Sequence, residues 1–185
     1  MAYKVLNNVS VKDVTSSDLL SLKTDLLVIV INKNTKDKVV NQLAKDVSSH
    51  LKESGSSVLV PNAKSFNAKN VLLVKGFQDS DQIHKLISMY QSIAQKGNQL
   101  KAKDISIMPG TVYPKGKCEM WLIEMVAKTI ESNVYIFSET CNKTAKKPSV
   151  KKLNILVSSL TKSDLIKAKN AAKKGYAIGE GVNIF

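Results

Sequence analysis

The chain has 185 residues, 43% of them apolar, which is the size and composition of one domain with a real core. Its longest apolar run, Leu26 to Ile31, has six residues, far short of the roughly 20 that cross a bilayer. The net charge is +13, and all 28 basic side chains are lysine, so the planar arginine fork that reads base edges or grips phosphate in two places is missing altogether.

In chain order, Tyr3 to Leu6 is predicted as a short first strand. Thr24-Asp25 then opens Leu26 to Ile31, a continuous apolar run of the kind covered by helices on both faces. Asn34 to Glu53 is predicted helical, with Val39, Leu43, Val47 and Leu51 at four-residue steps, Asn34 or Thr35 as cap and Gly55 in a left-handed stop. His50 falls in its last turn with no metal-ligand spacing around it and is read as structural.

Ser57 to Val60 and Val71 to Lys75 are two short strands whose connection is too brief for a crossover helix, so they pair antiparallel and the sheet is mixed. Ser80 to Lys96 is the second helix, with Ile83, Leu86, Ile87, Tyr90, Ile93 and Ala94 on one stripe, His84 on its surface and Gly97 as its stop. Ile105 to Met108 is a strand ended by Pro109-Gly110. A third helix follows, its buried face marked by Cys118, Trp121, Leu122, Met125, Val126 and Ile130, with Cys118 a small core residue. Val134 to Ser138 is predicted as a strand, Thr140 to Ser149 as a basic connector, and Leu153 to Val157 as the last strand. Such alternation gives an α/β fold: a mixed, mostly parallel sheet flanked by helices on both faces in a three-layer sandwich.

The closing stretch, Leu160 to Phe185, begins as a helix with the capping-box spacing Thr161-x-x-Asp164 and a stripe of Leu165, Ala168, Ala172 and Tyr176. Gly175, Gly179 and Gly181 each cost about 1 kcal/mol against alanine in a helix interior. The chain stops on the apolar pair Ile184-Phe185, and this end is read as cut.

The segment Ala171 to Asn183, Ala-Ala-Lys-Lys-Gly-Tyr-Ala-Ile-Gly-Glu-Gly-Val-Asn, resembles the helix by which the leucyl (cytosol) aminopeptidase family joins its N-terminal domain to its catalytic domain. The strand Asn70 to Gly76 resembles that family's Val-Leu-Leu-Val-Gly strand, and the order of elements fits its macro-domain-like N-terminal fold. The resemblance divides the chain into an N-terminal α/β domain, 1–159, with its connector at 140–149, and the start of the joining helix at 160–185. It implies a non-catalytic domain that serves assembly, as a hexamer in the family, and access to an active site held elsewhere. In the parent enzyme a separate C-terminal domain would hold two divalent metals, Mn or Zn, and release N-terminal amino acids from peptides. No counterpart of that family's metal ligands stands in this sequence, so no catalytic, metal or cofactor residue carries over.

The residues read by themselves agree. Two histidines and two cysteines stand singly, without metal-ligand spacing, and neither a Gly-x-Ser-x-Gly elbow nor a Walker loop is present. A macro-domain likeness raises ADP-ribose binding, for which Pro109-Gly110-Thr111 is the best loop, but the glycines are single where a diphosphate needs several. Met-Ala-Tyr-Lys at the start carries no apolar leader segment, so a cytoplasmic location is expected, and Cys118 with Cys141 makes no disulfide framework. Charge is uneven, +4 over residues 1–92 (12 Lys, 8 acids) and +9 over 93–185 (16 Lys, 7 acids). Lys143, Lys146, Lys147, Lys151 and Lys152 form a run without an acid, and weak, nonspecific nucleic-acid binding through them is the alternative function.

Overall fold

The computed structural model describes residues 6, 8–32, 40–41, 45, 51, 53–77, 83–110, 113–134 and 148–182. Among the described residues six strands lie in one sheet: β1 (Asn8–Asp13), β2 (Leu26–Ile31), β3 (Ser57–Pro61), β4 (Asn70–Lys75), β5 (Asp104–Met108) and β6 (Lys152–Val157), in spatial order β1-β6-β5-β2-β4-β3. Every neighbouring pair is parallel except β3 with β4, which is antiparallel as their short connection requires. Four helices with described bounds accompany them: α1 (Ser16–Ser21), α2 (Ile83–Gln99), α3 (Glu119–Val134) and α4 (Lys162–Val182). Val40, Asn41 and Lys45 are also helical.

The continuous apolar run of β2 is explained by two cores. Leu26, Val28 and Val30 join the core under α2, α3 and α4, while Leu27 and Ile29 join a second one with Leu19 of α1, Val40 and Phe66. A strand covered on both faces has no polar face to alternate with. The result is an α/β sandwich of three layers.

Several expectations are corrected. The first strand is Asn8–Asp13, after the expected Tyr3 to Leu6; of those four residues only Leu6 is described, buried but outside any strand. Leu51 and Glu53 are not helical, so the helix expected to reach Glu53 ends sooner; His50 lies outside the described residues. Gly97 does not stop α2. It sits inside the helix, where a Cβ would come within 2.6 Å of Ile105 Cδ1. Cys118 is exposed ahead of α3 rather than buried on its stripe. Val134, expected to begin a strand, is the buried last residue of α3, and Tyr135 to Ser138 lie outside the described residues. Helix α1 was not anticipated, although Thr15 and Asp18 form its full capping box.

Helix α4 runs 21 residues, about 31 Å at 1.5 Å per residue. Thr161 Oγ1 accepts from the Asp164 N–H at 3.1 Å and donates to Asp164 Oδ2 at 2.8 Å, which holds that carboxyl below its ordinary range. Its buried residues are Ala168, Ala172, Gly175 and Gly179. A Cβ on Gly175 would lie 2.1 Å from the Glu124 carbonyl oxygen, and one on Gly179 2.7 Å from that of Lys128. The pairing advances in the same direction on both helices, so α3 and α4 run parallel, backbone against backbone. The glycines that weaken α4 as an isolated helix are what seat it.

Candidate functional site

Ligands in open parallel sheets bind outside the carboxyl ends of the strands, where the connections of adjacent strands leave to opposite faces. Here β2 leads toward the Val40 side, whereas β4 and β5 lead to α2 and α3 on the other face. The crevice therefore lies beyond Ile31, with Asn32 from β2, Gly76 from β4 and Gly110 from β5 around it. Gly110 takes φ +78°, a left-handed conformation that suits glycine. Tyr90 of α2, fully buried, donates its hydroxyl to the Pro109 carbonyl at 2.7 Å and anchors the same loop, and burial pushes the phenol's pKa up.

The Asn32 carboxamide fills this crevice. A Cβ on Gly76 would stand 1.8 Å from Asn32 Oδ1, and one on Gly110 2.5 Å from Asn32 Nδ2. The two single glycines make room for a side chain of this same protein. Thr111, the third residue of the loop singled out for ADP-ribose, lies outside the described residues.

At the opposite edge, where the parallel strands begin, lysines gather. Of the five predicted polyanion contacts, Lys143, Lys146 and Lys147 lie outside the described residues. Lys151 stands just before β6 and Lys152 opens it, and their N–H groups donate to the Lys103 carbonyl at 2.7 and 3.3 Å. That bond brings in Lys103 and, two residues earlier, Lys101. Lys103 N donates to Asp25 Oδ2 at 2.8 Å, and the Lys69 ammonium pairs with Asp25 Oδ1 at 2.5 Å. Lys23 stands two residues before Asp25, so six lysines line the starts of β4, β2, β5 and β6. The local signal was a lysine one to three residues ahead of each strand. It becomes a cluster only once those strands are known to be parallel neighbours.

The aspartates at this edge are engaged. Asp104 accepts from the Thr24 hydroxyl and from Asp25 N–H at 3.4 Å. From Thr24 the network continues through the buried Ser106 hydroxyl (3.1 Å) and Asn154 (3.0 Å) to Ser10 (2.8 Å), crossing β5, β6 and β1. The hydrogen bond from Lys69 holds the Asp25 carboxyl below its ordinary pKa, with the Lys103 amide adding to the effect.

A carboxyl whose folded pKa is depressed contributes stability above its unfolded pKa and loses it as pH falls through the folded value. Asp25→Asn should therefore destabilise the protein at pH 7, and its deficit against the wild type should shrink by pH 3. Urea midpoints of both proteins at the two pH values check this; a deficit independent of pH would contradict the assignment.

Among the described residues no group of three or more His, Cys, Asp or Glu could hold a metal ion. Three of the described carboxylates are held in ion pairs: Asp25 with Lys69, Asp164 with Lys167 and Glu124 with Lys174. The donors among the described residues do not fit a two-metal centre. His84 is exposed on α2, as expected, and no described helix is long and apolar enough to cross a membrane.

No protein-family model and no curated protein matches the sequence. Solved structures do match. A mutant of tomato leucine aminopeptidase is 19% identical with a TM-score of 0.64, over 92% of this chain and 36% of that one. The bottromycin maturation enzyme BotP, in complex with Mn, is 13% identical with a TM-score of 0.58, over 86% and 30%. The macro domain of ganglioside induced differentiation associated protein 2 is 14% identical with a TM-score of 0.57, over 88% and 87%. The fold is thus that of a whole macro domain, and the chain spans about a third of the length of the two enzymes. At these identities the likeness shows the fold alone.

Proposed function

We propose that this chain is the non-catalytic N-terminal domain of a leucyl aminopeptidase-type enzyme, a cytoplasmic two-metal exopeptidase that releases N-terminal amino acids from peptides. The observation that supports it is the match of 92% of the chain to 36% of tomato leucine aminopeptidase, together with the resemblance of Ala171 to Asn183 to the family's joining helix. In this reading residues 1–159 form the domain proper, and α4 carries the chain toward the catalytic half. The metals, Mn or Zn, and the hydrolytic groups belong to that half. The domain's own work is to support assembly, a hexamer in the family, and to shape access to the active site. Seating α4 on α3 through Gly175 and Gly179 gives the junction a fixed direction, which a domain positioned over another's active site requires.

Two measurements test this. The chain alone, with added Mn or Zn, should not turn over Leu-p-nitroanilide; turnover that survives repurification and rises with metal would overturn the reading. A chimaera in which this chain replaces the matching domain of tomato leucine aminopeptidase should assemble and hydrolyse the same substrate. If it behaves no better than the tomato enzyme with that domain deleted, the proposed role fails.

A further inference from the structure

We infer that the edge of the sheet where β4, β2, β5 and β6 begin is a docking surface for the phosphodiester backbone of nucleic acid, read without regard to sequence. Independently of any peptidase parent, it rests on Lys23, Lys69, Lys101, Lys103, Lys151 and Lys152. All are exposed except the half-buried Lys151, and among the described residues only Asp25 and Asp104 stand with them, a balance of 6 − 2 = +4.

The geometry suits a linear polyanion. The lysines stand at the ends of four adjacent strands, and strands lie about 4.8 Å apart, so the row is about 14 Å long. One nucleic-acid strand carries a phosphate every ~3.4 Å of axis, so about four phosphates fall along that length. Among the described residues only Lys69 of the six makes an ion pair. The other five can exchange water and counterions for phosphate. The two aspartates do not offset this freely, since Asp25 is tied to Lys69 and to the Lys103 amide, and Asp104 to Thr24. Burial first, then the carboxylates Glu131 and Glu180, raises the pKa of Tyr176, which stands beyond the start of β1 and donates its hydroxyl to the Leu6 carbonyl at 2.9 Å.

The same row argues against other ways of reading nucleic acid and against a membrane. The chain has no arginine, and among the described residues no aromatic side chain stands in the row, so it offers neither bidentate base contacts nor a stacking platform. Ala102 and Val150 between the lysines are buried and the half-buried Leu22 and Leu100 pack against the cores, so among the described residues no large apolar side chain stands exposed between the lysines to enter a bilayer.

Fluorescence anisotropy of the full chain with a labelled 20-base-pair duplex and with a labelled single strand tests the inference. Binding should be independent of base sequence and should weaken about a hundredfold between 50 and 200 mM salt, as release of counterions from about four phosphates implies. The variant Lys101→Gln, Lys103→Gln, Lys151→Gln, Lys152→Gln should lose at least tenfold in affinity at the lower salt. A control with the same loss of charge elsewhere, Lys85→Gln, Lys128→Gln, Lys169→Gln, Lys173→Gln, should lose less than threefold. Arginine at the four edge positions should restore binding, which separates lost charge from lost fold. Equal losses in the two glutamine variants, or no shift of either probe at 50 mM salt, would overturn the inference. So would co-sedimentation with phosphatidylserine vesicles in the absence of any oligonucleotide binding.

Discussion

Gly175→Ala lowers the melting temperature by about 4–8 °C. The added methyl would sit 2.1 Å from the Glu124 carbonyl oxygen, a backbone atom inside α3 that cannot swing aside as the tip of a side chain could. Helix α4 must instead lift away, and that separation also loosens Ala168 and Ala172, which are fully buried in the same seam. Overpacking of this kind costs about 3 kcal/mol, well above the ~1 kcal/mol alanine gains in a helix interior. For a chain of this length each kcal/mol moves the midpoint by about 2–4 °C. Gly179→Ala, with its nearest contact at 2.7 Å, should fall in the same direction by less. Gly181→Ala meets nothing within 4 Å and should raise the midpoint by a degree or more, about what helix propensity alone supplies. Circular dichroism melts of the three variants decide the matter. If Gly175→Ala melts with the wild type, α4 does not lie on α3 as described.

The second large effect is at the crevice. Gly76→Ala should cost about 2 kcal/mol, because the methyl would come within 1.8 Å of Asn32 Oδ1 and 3.0 Å of Val30 Cγ1. An asparagine side chain usually yields to such an intrusion. This one is blocked on its far side, where Gly110 leaves no margin toward Asn32 Nδ2. The cost should therefore be coupled to Asn32: in Gly76→Ala with Asn32→Ala most of the added strain disappears. A double-mutant cycle by urea unfolding reads the coupling directly, and about 1 kcal/mol or more is expected. Strictly additive effects would show that the carboxamide is free to move out of the crevice.

Both results turn on glycines whose meaning the linear chain conceals. Gly97, Gly175 and Gly179 look like helix stops or weak points when only the helix is considered, since each lowers helix propensity by about 1 kcal/mol. Their purpose is set by what lies opposite: Ile105 beneath Gly97, and the Glu124 and Lys128 carbonyls beneath the other two. Cys118 shows the reverse error. Its spacing matches the α3 stripe, but α3 begins one residue later at Glu119, and the cysteine is left in solvent. The first strand was missed for a similar reason. Asn-Val-Ser-Val-Lys-Asp has only two apolar residues because β1 is an edge strand with one neighbour, β6, and little surface to bury.

What the residues determined unaided were features carried by local chemistry or by chain length. The unbroken apolar run of β2 required two covered faces. Eight residues between β3 and β4 allowed only an antiparallel return, and Thr161 with Asp164 set where α4 begins. The tertiary structure alone decided which distant groups meet. Strand order brought Lys103 beside Lys151 and Lys152, the crossover of α2 placed Gly76 and Gly110 on either side of Asn32, and parallel helices put glycine against a carbonyl. The reason is physical: periodicity and capping act over a few residues, whereas a crevice or a charged edge exists only after strands far apart in sequence have paired.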